Sequence, residues 1–575
     1  MQYNADVLVI GSGAAGLMAA HAAASAGRTV VIADKSLIGR GGATIMAQMT
    51  TAVALASAEP DSVDLHVEDT LAGARGLADP AIVRAICARG PEVILEVEKY
   101  GANWARTPDG KYSQVVAPGH SRRRCVYVDV LRTGDAVSQA LRSVVRRHQK
   151  IRRLANVMVT KIVKDGERVT GAIGFAIEDL APVAICAHTV IVATGGLTAV
   201  YKRNSASSNM TGDGFVLAAE AGATLRDMEF VQFFPIAHLY PPLVHLDPIM
   251  WDPFRYKLGG RLLNGKFEEF MHHYTGEVSG KYSAPRDQAS YAILSEVEAG
   301  RGSPHGGVWL DFRMIEPEKL KEGFGPVIGI LEQQGIDLTR DMVEVAPTAH
   351  YFLSGIEVDT AMRTGVDGLL ACGEAIYGMH GANRLSGNAI TEALVTGRIA
   401  GETAAARSSA SGPRVLDHVT REEWTRLQHL WHPRKVERDD VPIGALRVRL
   451  QNIMETGAGP LRTADGLAIA LDELAALKDE VEGTALAPQP AFAINLQEKV
   501  ELQNMIAVSE TIVRGALARR ETRGAQVRLD FPEQDEVAVS RAFRLGPDGW
   551  HIEDVAPAVA LAAPRHPGAA ARGSS

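Results

Sequence analysis

The chain has 575 residues, 46% of them hydrophobic and 22% charged, with 60 Lys and Arg against 68 Asp and Glu for a net charge of −8. That length exceeds one compact core and implies roughly two to four domains. The composition excludes a disordered chain, and the acidic balance excludes a generic nucleic-acid binder.

Residues 5–10 (ADVLVI) are a mostly apolar run closed by glycine, the pattern of a central parallel strand. Residues 14–24 are alanine-rich and read as helix, and residues 28–34 as a second strand. Gly11, Gly13 and Gly16 form GxGxxG at the first turn of this β-α-β unit. In such a unit the helix N-terminus, from Ser12, Ala14 and Ala15, offers N–H groups and a positive dipole to a pyrophosphate. Asp34 ends the second strand, where a carboxylate accepts from a ribose hydroxyl; Lys35 follows it. Residues 38–53 are a glycine-rich loop that brings Gly42, Ala43, Thr44 and Gln48 to the same site. Helical patterning covers about 62–100 and 131–148, residues 157–176 alternate like a hairpin, and residues 188–194 are another buried strand ending in Gly195-Gly196.

From about residue 235 prolines and aromatics cluster, and an irregular segment is expected to about 350. Strand character returns at 365–371 and helix at 388; residues 406–413 read as a linker. Residues 420–525 are amphipathic and helix-rich, and the tail from 556 reads as mobile. Two basic clusters, 122–124 and 519–523, read as solvated surface, as does His272-His273. The longest apolar stretches are strand-length or interrupted, so no bilayer span is expected. The first strand begins too early for a signal peptide. Cys87, Cys125, Cys186 and Cys372 form no CxxC clip, so neither a metal site nor an iron–sulfur cluster is expected within the chain. Scattered thiols fit a reducing, cytoplasmic setting.

Thr194-Gly195-Gly196, then Thr211 to Gly214 (TGDG) with Asp213, then Cys372-Gly373-Glu374, follow in the order of a large flavoprotein. With them stand EFVQFFP at 229–235, APRD at 284–287, PTAHYFLSGI at 347–356, GEAIYGMHGANRLSGNA at 373–389 and RRETRGAQ at 519–526. On these motifs the chain resembles the succinate dehydrogenase/fumarate reductase flavoprotein family, which includes L-aspartate oxidase; GHSRRRCVYVD at 119–129 is similar to the aspartate-oxidase branch. The resemblance implies an α/β fold: a Rossmann-like FAD-binding domain (1–234 and 351–412), an inserted α+β capping domain (235–350), a helical C-terminal domain (420–530) and a partly mobile extension (531–575). It implies FAD as cofactor and adds Asn388 and Ile390 to the residues that bind it. It implies hydride transfer between flavin N5 and a carbon next to a carboxylate, with a proton moved at the adjacent carbon.

Within that resemblance, Arg384 and His350 clamp a substrate carboxylate and Arg286 shuttles the proton. Asp287 either orients Arg286 or caps a helix. His380 is placed for contact with flavin or substrate. Three departures stand out. Phe234 occupies the place of a histidine that grips the second carboxylate. The following Thr-Glu pair is absent, with Asp252-Pro253 nearest, and AQGG has become AQMT at 47–50. A small carboxylic acid with one firmly held carboxylate is the expected substrate, or a dicarboxylate whose far end Arg255 or His238 holds. No histidine stands near Ala43-Thr44 to anchor the flavin, so non-covalent FAD is expected. The electron partner is then a separate iron–sulfur subunit, through which the chain is peripheral to the inner membrane. The alternatives are a self-contained oxidase like L-aspartate oxidase, reoxidised by oxygen or fumarate, and a non-catalytic flavin-binding protein.

Overall fold

Val7, Leu8 and Val9 are fully buried, because the strand they form is covered on both faces. In the computed structural model this strand, β1 (Gln2–Ile10), is followed by α1 (Ala14–Ser25), β2 (Val30–Ala33), α2 (Val63–Gly73), α3 (Pro80–Lys99), α4 (Thr133–Arg147), β3 (Ile151–Leu154), β4 (Val157–Asp165), β5 (Arg168–Ala176) and β6 (Pro182–Val192). The structure describes residues 1–129, 131–244, 248–251, 258–275, 284, 286–407, 417–431, 441–486 and 492–558. Next come α5 (Asp213–Glu220), β7 (Leu225–Arg226), β8 (Val231–Tyr240), β9 (Arg261–Leu263), α6 (Arg286–Glu296), β10 (Val308–Asp311), β11 (Val343–Phe352), β12 (Gly355–Ile356), β13 (Leu369–Ala371) and α7 (Asn388–Ala406). The helices α8 (Ile443–Gly457), α9 (Ala464–Gly483) and α10 (Ile494–Ala518) precede the hairpin β14 (Ser540–Gly546) and β15 (Gly549–Val555).

The main sheet runs β3-β2-β1-β6-β5-β4, with β13 also on β6. Strands β3, β2, β1 and β6 are parallel; β4 and β5 form the expected hairpin, and β13 joins β6 in parallel at Leu369↔Val190. The carboxyl ends of β1, β2, β6 and β13 therefore open on one side, where doubly wound sheets bind ligands.

The stretch expected to be irregular holds an antiparallel sheet, β8-β11-β10-β9, over its own apolar core of Phe234, Ile236, Leu262, Leu310 and Phe312. Its edge pair, β8 with β11, joins Phe234 to Thr348, more than a hundred residues apart, so no local turn announces it. Pro235 is tolerated inside β8 because the register breaks between Phe234 and Ala237. The boundary expected at 235 falls inside this strand.

The extension expected from 531 is partly an ordered hairpin. β14 pairs with β7 at Leu225↔Phe543, and β7 with β12 at Leu225↔Ile356. The missed signal is Gly546-Pro547-Asp548-Gly549 between two alternating runs. Residues 559–575 and most of the expected linker lie outside the described residues. Among the described residues no helix is long and apolar enough to cross a membrane.

Candidate active site

A cavity of about 1520 Å³, counted to its open mouth, lies at the carboxyl ends of β1, β2, β6 and β13 and reaches α6 and β11. Its first end is built on the glycine turn. A Cβ on Gly11 would stand 2.3 Å from the Ala193 carbonyl oxygen, and Gly11 takes a φ of +100°, so only glycine lets β1 turn there. Gly13 caps α1 without a side chain, and the Ala14 N–H donates to Thr44 Oγ1 at 3.0 Å. Ser12, Ala15, Gly42, Ala43 and Gln48 also line this wall. Gly16 does not; a Cβ there would meet the Gly11 carbonyl oxygen at 2.2 Å, so it closes helix onto turn.

Asp34 lines the cavity, but its oxygens also staple the loop. Oδ2 accepts from the Ser12 N–H and hydroxyl at 2.9 and 2.5 Å, and Oδ1 accepts from the Ser36 N–H and hydroxyl at 2.8 Å each. Lys35, Asp213, Thr194, Gly195 and Ile390 are on the wall as well. Gln48 Nε2 donates to the Pro248 carbonyl at 3.0 Å and its Oε1 accepts from the Met250 N–H at 3.1 Å, tying the glycine-rich loop to the chain after β8. Glu374 accepts from the Phe352 N–H at 2.9 Å, and burial pushes its carboxyl up to about 8, so it carries a proton at neutral pH.

The far end gathers the cations. Arg286, the first residue of α6, donates through Nη1 to Gln232 Oε1 at 3.1 Å and through Nη2 to Ser386 Oγ at 3.4 Å. Arg384 donates through Nε to the same Gln232 oxygen at 3.2 Å, and its buried Nη2 makes no hydrogen bond among the described residues. The guanidiniums lie over Phe234 and Tyr351, at 4.9 and 4.3 Å from the ring centroids. His350, on β11, shares a 2.7 Å hydrogen bond with Ser205 Oγ, its ring 5.5 Å from that of Phe234. Burial and then the Arg286 charge bring Arg384 down to about 10, and burial with both arginines holds His350 well below its ordinary value. This end therefore presents two buried cations, a neutral imidazole and an unspent N–H: a receptor for one carboxylate.

Gln232 is the residue the motif reading passed over. Its Nε2 donates to Asn383 Oδ1 and to the Arg384 carbonyl at 3.1 and 2.9 Å, which aims Oε1 at both arginines. A lone amide inside the buried run FVQFF was the available signal, because a buried polar group needs partners.

Other expected residues lie elsewhere. His380 is behind the wall, its Nε2 3.0 Å from Glu392 Oε2 and its ring edge-on to Tyr351. Asn388 is also off the wall, spent on His66 and Thr70. Arg255 lies outside the described residues, as do Asp252 and Pro253. His238 is turned away from the cavity, donating to the Pro241 carbonyl and packing on Trp251. Asp287 pairs with Arg75 at 2.5 Å. The basic clusters are not all surface: Arg124 is fully buried against Asp61 and Asp69, and Arg519 and Arg523 are buried around Glu521.

A cavity that starts at a helix N-terminus whose cap, Gly13, makes no side-chain hydrogen bond fits a dinucleotide. So does its open glycine loop, where a Cβ on Gly42 would meet nothing within 4 Å, and so does the unpartnered Thr194 hydroxyl. The model of an FAD binding domain matches residues 6–390, and that of the fumarate reductase flavoprotein C-terminus matches residues 447–545.

The chain belongs to the succinate dehydrogenase/fumarate reductase flavoprotein family.

It is 35% identical to a CoM/CoB fumarate reductase subunit of Methanothermobacter marburgensis over 92% of this chain and 95% of that one. It is 34% identical to an L-aspartate oxidase of Streptomyces coelicolor over 95% and 92%. Among solved structures it is similar to the E. coli quinol fumarate reductase, with a TM-score of 0.90 and 29% identity over 98% of both chains. FAD is its cofactor, and its chemistry is oxidoreduction at CH–CH bonds.

Proposed function

We propose that this family member interconverts a CH–CH bond and a C=C bond beside one firmly held carboxylate, on an acid other than succinate or fumarate. The observation that carries the reading is the convergence of Arg286 and Arg384 on one amide oxygen while Phe234 forms the facing wall. Arg384 Nη2 and His350 hold the carboxylate, and FAD, when bound, supplies the hydride chemistry. Arg286 moves a proton from a guanidinium N–H to the substrate carbon, a transfer that a dry, aligned site favours despite the weak acidity of arginine. Phe234 cannot donate to a second carboxylate, and closing the site on an unpaired charge costs about 3–5 kcal/mol. Burial of Phe234 to 1% exposure, beside Met250 at 3%, favours an apolar or larger far end.

Electrons pass to a separate iron–sulfur subunit, and the FAD is non-covalent because Ala43 and Thr44 offer no histidine to it. The similarity to an L-aspartate oxidase supports a second reading, a self-contained oxidase. Anaerobic bleaching of the bound flavin by a panel of mono- and dicarboxylic acids, followed by admission of oxygen, tests both. Bleaching by a saturated monocarboxylate supports the first reading, prompt peroxide the second, and efficient turnover of succinate or fumarate overturns the altered-substrate proposal.

A further inference from the structure

Lys35 sits on the cavity wall beside Asp34, at the end where the β-α-β unit takes the adenosine half of a dinucleotide. Its Nζ reaches Thr211 Oγ1 at 2.5 Å, Asp213 Oδ2 at 2.6 Å and Glu501 Oε1 at 2.8 Å. The side chains of Lys35, Asp213 and Glu501 are 12%, 9% and 5% exposed. Glu501 is foreign to the nucleotide-binding segments; it comes from α10. Further along the same helical face, Asn504 Nδ2 donates to Asp213 Oδ1 at 2.9 Å. Val508 then closes on the loop at Gly212, where a Cβ would stand 2.9 Å from its Cγ2. Glu501 is itself held by Gln497 at 2.8 Å and by Arg447 of α8 at 3.4 Å, and Arg447 also donates to the Ser208 carbonyl at 3.1 Å.

We propose that α10 is a clamp on the cofactor: Glu501 and Asn504 are positioning residues that hold Lys35 and Asp213 on the wall, so that FAD retention depends on the docking of this helix. Asp213 is pinned on both oxygens, one by Asn504 and the other by Lys35 and Thr211. Lys35 is one cation between two carboxylates. Remove Glu501 and Lys35 keeps one carboxylate, that of Asp213, while Arg447 loses its contact at 3.4 Å. A long lysine stem with fewer partners leaves its place, because an under-compensated buried charge is costly.

The test uses the full-length holoenzyme and reads the rate of FAD release by recovery of flavin fluorescence, which requires no knowledge of the substrate. Glu501→Gln, nearly isosteric, is expected to speed release about tenfold. In a Lys35→Met background the same change is expected to add less than about twofold, since the coupling passes through Lys35. Glu510→Gln, on the same helix but paired with Arg514, is expected to leave release unchanged. Asn504→Asp sets a carboxylate against Asp213 without touching the ion pair; it is expected to speed release as well, and serves if Glu501→Gln fails to fold. Wild-type release from both folded variants, or an equal acceleration by Glu501→Gln with and without Lys35, would overturn the proposal.

Discussion

Two guanidiniums on one amide oxygen repel each other, and the arrangement persists because Gln232 is locked from behind by Asn383 and the Arg384 carbonyl. An incoming carboxylate relieves that repulsion, so the site is preorganised for one anion. Whether it accepts a second is decided at Phe234. Phe234→His is expected to raise kcat/KM for fumarate or succinate about 10- to 100-fold by supplying a donor to the far carboxylate. Steady-state assays of both proteins read this, and an unchanged kcat/KM would place the second grip elsewhere. At this scale the sequence was generous with chemistry and poor on placement. Arg286, His350, Arg384 and Phe234 line one cavity. His380 and Asn388 sit in the same motif run as Arg384 but point behind the wall. Motif membership fixes a residue's position along the chain and leaves its direction to packing.

Helix α1 follows the glycine turn on the cavity wall, and its position is set by α7. A Cβ on Gly397 would stand 2.3 Å from the Ala15 carbonyl oxygen, and one on Gly401 would stand 2.3 Å from that of Ala19. These glycines lie four apart, on one face of α7, and let the two backbones touch. Gly397→Ala is expected to push α1 off its seat, lowering stability by about 1–3 kcal/mol and reducing flavin content in the purified protein. Absorbance of bound flavin and a thermal melt check this together; full flavin content at an unchanged melting point would refute the seating role. The elements themselves were readable where partners are near in sequence, as in β1-α1-β2 and β4-β5. They were unreadable where partners are remote, as in β8-β11, or where a turn signal went unused, as in β14-β15.

Across the whole molecule, charge is buried where distant segments meet. Arg519 reaches Glu229, Asp227 and Glu521, and binds the end of α10 to the chain before β8. Burial, then the neighbouring Glu229, pushes Asp227 up to about 6. A second junction joins α2, the segment between α3 and α4, and the loop into α7. There His66 and His120 stand 5.7 Å apart, their Nε2 atoms at Asn388 Oδ1 and the Ser386 carbonyl, and their Nδ1 atoms without hydrogen-bond partners. Burial holds His66 down to about 3 and His120 to about 4. Below pH 6.5 the unfolded chain takes up both protons and the folded one does not. Stability is therefore lost as pH falls from about 6.5 toward 4, by ~1.4 kcal/mol per pH unit for each imidazole. His120→Gln is expected to halve this pair's share of the acid slope in thermal unfolding midpoints, and an unaltered slope would exclude the pair as its source. None of this was visible in the sequence, where Arg519 and Arg523 read as surface; a charge run shows its burial only once its counter-charges, hundreds of residues away, are in place.

The long span of the cavity wall has one more consequence. Its lining runs from Ile10 to Ala393, and the helix behind it bears Glu501. A chain emerging from the ribosome shows its glycine turn long before its cavity wall is complete, which requires residue 393 of 575. A premature stop before α7 therefore yields a chain with the fingerprint of a flavoenzyme and an unfinished wall for the pigment.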